Sequence, residues 1–187
     1  MIELHEFNKF LSVMGFKEVR IPSVTDFLKQ IREGTRGTPL QVFDANCIAG
    51  AKHILFATLN ALNTFEQGQS ISQSLEVEIL LYASGKRQIS RAIEMVGLKH
   101  DTSEIAVAFV TTREEDIEGV EAEVSKIVPG KRDDSVLDLG EEKARRLIEV
   151  FDITDAELEA VSENGKSLWD SLVAVIVERT ALLATAR

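Results

Sequence analysis

Cysteine is nearly absent. Cys47 stands alone, which excludes an internal disulfide and leaves no second thiolate for a cysteine metal site. His5, His53 and His100 lie far apart without ligand spacing, so neither a metal nor a cofactor is implied. With only 3 Pro and 11 Gly, collagen-like and low-complexity character are excluded. Uninterrupted apolar runs reach no further than Leu172 to Val177, far short of the roughly 20 residues of a membrane span. The start Met1-Ile2-Glu3-Leu4-His5-Glu6 has neither the basic opening nor the apolar stretch of a signal peptide. These absences lead us to expect a reducing, cytoplasmic setting without membrane contact. Basic residues are in the minority, 21 Lys+Arg against 31 Asp+Glu for a net charge of −10. That balance argues against coating of nucleic acid, whose phosphates seek concentrated positive charge. A small basic site remains compatible with it. What is present in quantity is apolar side chain, 44% of 187 residues, enough for one domain over residues 1–187 with a real core.

Along the chain, Phe16 to Ile21 alternates apolar and polar residues and predicts a strand ended by Pro22. Ser23 is placed to cap a helix through Ile31, closed by Gly34, and Leu40 to Ala45 predicts a second strand. From about residue 50 the apolar period becomes helical. Ala51, Leu55, Thr58, Leu62 and Phe65 trace one stripe, while His53, Ala57, Asn60 and Thr64 suggest a polar face opposite the core. A second helix is expected from Ser70–Ser72 through Ala83, with Gly85 as its C-cap. A third starts near Gln88 with Ile89, Ala92, Ile93 and Val96 inward. The continuous apolar run Ile105–Val110 predicts a central strand covered on both faces. An acidic surface helix from Glu114 follows, ending before Pro129, and then a short strand over Val136–Leu139. The remainder reads as helix: Glu141 to Phe151, a capping box at Thr154–Glu157, and a long helix from about Lys166 to Ala186. The whole reads as α+β with a helical C-terminal part.

The common catalytic motifs are missing: no phosphate-cradling GxxxxGK[ST], no GxGxxG, no HExxH and no G-x-S-x-G. Cys47 with His53 could form a nucleophile–base pair, but the apolar neighbours Ala45, Ile48 and Ala49 favour a packed thiol. The carboxylate pairs Asp133-Asp134 and Glu141-Glu142 sit where capping and solvation account for them. Two features carry more. Ser84-Gly85-Lys86-Arg87-Gln88 forms a tight corner between helices, and the start of the second offers N–H groups and a positive dipole end beside two cations. That combination suits phosphate, although many such corners are purely structural. Glu78, set among Leu75, Val77 and Ile79–Leu81, needs a partner, with Arg87 or Arg91 the candidates for a structural ion pair. In the C-terminal helix Leu168, Trp169, Leu172, Val175, Ile176, Val177, Leu182 and Leu183 exceed one stripe, which fits either a partner interface or a central helix.

The segment Ser72–Ile93, with its Glu-Ile-Leu stretch followed by Ala83-Ser84-Gly85-Lys86-Arg87-Gln88-Ile89 and Ala92-Ile93, resembles the small kinase-binding subunit of the KEOPS complex, the PRPK-binding protein family in its archaeal type. The resemblance extends through Asp44-Ala45 and Lys52-His53 upstream and Asp133–Leu137 downstream, covering roughly residues 40 to 150. It implies a small central mixed or antiparallel sheet flanked by several helices, and a non-catalytic subunit. In such a complex the transferase subunit places threonylcarbamoyl on the adenosine next to the anticodon, assisted by a small atypical kinase acting as an ATPase. The small subunit docks on that kinase's N-lobe, stimulates it, and captures tRNA by its single-stranded 3′ CCA end. On this basis Lys86 and Arg87 are expected to contact phosphate, with Ser84, Gly85 and Gln88 supplying polar groups and Lys52 and His53 extending the surface. The kinase-binding residues are expected in the C-terminal helix at Leu172, Val175 and Ile176. A protein-only adaptor and a small acid–base enzyme are the competing expectations.

Overall fold

The computed structural model describes residues 1–162 and 167–185. Its centre is strand β4 (Ile105–Thr111), all of whose residues are buried. Period-two geometry sends Ile105, Val107 and Phe109 to one face and Ala106, Ala108 and Val110 to the other. Strands β2 (Lys9–Lys17) and β3 (Leu40–Asp44) flank β4; β1 (Ile2–Leu4) and β5 (Lys131–Arg132) both pair with β2. Every pairing is antiparallel.

Two helices cover the first face. They are α1 (Val24–Gly34), through Phe27 and Ile31, and α5 (Asp116–Ile127), through Ile117 and Val124. The second face carries α2 (Gly50–Glu66), α3 (Leu75–Ser84), α4 (Ile89–Val96), α6 (Glu141–Phe151), α7 (Asp155–Val161) and α8 (Leu168–Thr185). Its small residues Ala106 and Ala108 belong to the same buried cluster as the inward residues of these helices. Local rules set several boundaries: Ser23 Oγ accepts the Asp26 N–H at 3.3 Å to start α1, and Thr154 with Glu157 forms the expected capping box of α7. The long C-terminal helix is described over Leu168–Thr185; its expected ends at Lys166 and Ala186 lie outside the described residues.

Four expectations are corrected. The strand expected over Phe16–Ile21 is instead β2, which ends at Lys17, and Glu18, at φ +56°, turns the chain out of the sheet. Met14, Gly15 and Phe16 are buried consecutively, so β2 lacks the alternation that marks a half-buried strand. Val136–Leu139 is not a strand; Asp134–Leu137 forms a 3-10 turn, started by the Asp133 carboxylate accepting the Ser135 N–H. Gly15 admits this turn against the sheet, since a Cβ there would stand 2.5 Å from the Asp133 carbonyl oxygen. The second helix begins at Leu75, not Ser70, because residues before it fold over Glu78. In α4 Ala92 and Val96 are buried and Met95 packs partly against the core, whereas Ile89 and Ile93 are 47% and 48% exposed.

Candidate nucleic-acid interface

The corner between α3 and α4 is built by ordinary helix-ending chemistry. Gly85 adopts the left-handed conformation at φ +63°, and its N–H reaches back to the Leu81 and Tyr82 carbonyls. The buried Ser84 hydroxyl donates to the Leu81 carbonyl at 2.9 Å and accepts the Lys86 N–H at 3.2 Å. This turn presents Lys86, Arg87 and Gln88 to solvent. Gln88 is the N-cap of α4, and its side chain makes no capping hydrogen bond. The positive end of α4 therefore lies directly beside two exposed cations, an arrangement that suits phosphate. Arg91, one turn on, is held by Glu94 at 3.0 Å.

Lys52 is exposed on the first turn of α2, as expected. His53 is not a surface group, and the polar face expected with it turns inward: His53, Ala57 and Thr64 are all buried, and Asn60 reaches Thr180 of α8. Nδ1 of His53 accepts the Ala49 N–H at 3.2 Å, and Nε2 donates to the Ala83 carbonyl at 2.8 Å. Its ring stands edge-on to Phe151. Both nitrogens are thus committed, and neither can serve Cys47 as a base. Burial also pushes the Cys47 thiol up, away from thiolate. Asp133 of the carboxylate pairs is taken by Lys17 and Ser135, which hold it down to about 2, and Asp134 is bound by Arg132.

Burial pushes the His53 imidazole down to about 4; the Ala83 carbonyl opposes this and Lys143 adds to it. In the unfolded chain the ring titrates near its ordinary value of 6.5. The unfolded state therefore takes up the proton first, and this group's contribution is lost as pH falls from about 6.5 to about 4, amounting to about 3 kcal/mol. Denaturant unfolding at neutral pH and near pH 4 should show this loss in the wild type, and a smaller one in His53→Gln.

Glu78 is fully buried, and its carboxylate accepts the Ile71 N–H at 3.0 Å and the Ser72 N–H at 2.8 Å, with the Thr64 hydroxyl at 3.4 Å. The expected ion pair with Arg87 or Arg91 is replaced by these amides. Glu78 lies in the first turn of α3 and the corner at its last, so the carboxylate secures the α2–α3 connection instead. Glu78→Ala leaves those amides without their acceptor and should cost about 3 kcal/mol, lowering the thermal midpoint by about 6–12 °C.

Leu172 and Ile176 are 0% exposed and Val175 4%. The expected kinase-binding trio is therefore core, packed where α8 crosses α2 and α3, and is removed from any docking surface. The outward large apolar residues of α8 are Leu168 and Leu182. Sequence reasoning missed Ile89 and Ile93 as surface groups. Their only signal was the i, i+4 spacing that they share with Ala92 and Val96.

Among the described residues no group of His, Cys, Asp and Glu is arranged to hold a metal, and no helix is long and apolar enough to cross a membrane.

An α+β domain with a cationic helix corner on its surface defines the class. Compared with known families, residues 16–183 match the model of the kinase binding protein CGI-121 family, and the chain belongs to it. The match reaches well beyond the 40–150 stretch that carried the resemblance. One relative is the regulatory protein Cgi121 of Methanocaldococcus jannaschii, 33% identical over 117 residues, which are 63% of this chain and 72% of the relative.

Proposed function

We propose that this chain is a non-catalytic subunit of the KEOPS tRNA-modification complex. It binds and stimulates the small atypical kinase through that protein's N-lobe, and brings tRNA to the transferase subunit by the 3′ CCA end. Membership of a kinase binding family supports the first part. The observation that carries the second is the exposed Lys86–Arg87 pair at the start of α4.

The physical logic is that of single-strand capture. A terminal trinucleotide is held by a few phosphate contacts and by apolar cover for its unpaired bases. Lys86 and Arg87 supply the first, aided by the amides of the α4 first turn. Ile89 and Ile93, one turn apart and half exposed beside them, supply the second. The net charge of −10 repels duplex RNA elsewhere, which confines contact to the corner. Kinase docking falls to outward side chains of α8 such as Leu168 in place of the buried trio.

A mobility shift on intact tRNA and on tRNA lacking its CCA end tests the reading. Binding of the intact form alone is expected; equal behaviour of the two forms leaves a protein-only adaptor. The ATPase rate of the kinase, measured with and without this chain, should rise on its addition.

A further inference from the structure

We propose that His53 is a positioning residue for the corner, bracing it from inside the molecule so that Lys86 and Arg87 are presented in one orientation; this rests on the corner being the RNA site. The side chain is wholly buried, and a buried imidazole is tolerated only when its polar atoms are bonded. Here the bonds link two places: the Ala49 N–H at the start of α2 and the Ala83 carbonyl in the last turn of α3. The last carbonyls of a helix have no partner within it and usually turn to water or a cap. At Ala83 a side chain from a neighbouring helix takes that place.

The brace continues outward without a gap. Ser84 follows Ala83 and its hydroxyl holds the Lys86 N–H; Gly85 then reverses the chain. On its far side the corner rests on α8, where a Cβ at Gly85 would meet the Arg179 carbonyl oxygen at an ordinary 3.6 Å. The turn is thus set between α2 and α8. Without the His53 bond the last turn of α3 is freer to fray, and RNA binding must then supply the cost of ordering it. His53 itself touches no RNA; it acts through Ala83 and Ser84.

The experiment separates this role from plain core packing by chemistry. Asn in place of His53 can reach the Ala49 side but not Ala83, whereas Gln can place a donor near the Ala83 carbonyl. His53→Asn should bind intact tRNA ~10-fold more weakly, the factor for about one hydrogen bond, and His53→Gln should restore most of the loss. Without RNA, amide hydrogen exchange at Gly85 and Lys86 should accelerate in His53→Asn. A comparably destabilised variant on the opposite sheet face, Phe109→Leu, should leave both readouts at wild-type values. Should His53→Asn not fold, Ser84→Ala removes the next link of the brace and should produce the same pair of effects. Unchanged exchange at Gly85 and Lys86 overturns the inference, as does equal RNA affinity of the Asn variant and the wild type. If charge reversal at Lys86 and Arg87 weakens binding while His53→Asn does not, the inference alone falls; if neither does, the RNA reading falls with it.

Discussion

Lys86→Glu combined with Arg87→Glu is expected to weaken binding of intact tRNA by ~100-fold or more. Each cation that meets a phosphate makes a charge-assisted contact of about 1.5 kcal/mol or more, and losing two corresponds to about 3 kcal/mol. Reversal then adds repulsion to the loss. The salt dependence offers a second check, since each phosphate contact to a single strand contributes about 0.7 to the slope of log affinity against log salt. The double variant should flatten that slope by about 1.4, as titration at several salt concentrations would show. Both side chains lie on the surface and the turn is set by Ser84 and Gly85, so the turn itself and the kinase complex should be retained. Wild-type tRNA affinity in the folded double variant refutes the assignment of the site.

Leu172→Ala should act on the fold and not on docking. The side chain is fully enclosed in the core formed by α8 with α2 and α3. Truncation there removes buried apolar surface and leaves a cavity, at a cost of about 3 kcal/mol. In a domain of this size the thermal midpoint should fall by about 6–12 °C. Below that midpoint the variant should still form the kinase complex. Leu168→Asp provides the contrast: at 56% exposure it should leave stability within about 0.5 kcal/mol while weakening co-purification with the kinase. A Leu172→Ala protein that melts like the wild type would show the side chain outside the core.

Much of the architecture was legible where one local rule dominates. The central strand announced itself because Ile105–Val110 is apolar at every position over a strand's length, as a strand covered on both faces requires. Ser23, Gly85 and the Thr154–Glu157 box marked helix ends correctly, since capping depends on residues within one turn. Legibility failed where a residue's environment comes from distant segments. Leu172, Val175 and Ile176 belong to a helix with apolar residues on too many sides, and periodicity cannot say which side meets α2. Ile89 and Ile93 share the apolar spacing of Ala92 and Val96, although a helix this short has room for only one narrow buried stripe. The 3-10 turn at Asp134–Leu137 depends on a glycine in β2 far away in sequence.

The same division runs through the candidate site. From its sequence alone this chain is an acidic α+β domain with a cationic corner between two helices, because glycine, serine and adjacent basic residues specify a helix end by short-range bonds. Tertiary structure decided what stands behind that corner: His53, plausible as a surface ligand by its neighbours Lys52 and Asn60, is sealed inside, bonded to Ala83 thirty residues away. It likewise decided that Glu78 secures backbone amides and leaves the arginines to other contacts. A side chain's partner across the core depends on how helices pack, and packing is a property of the whole chain.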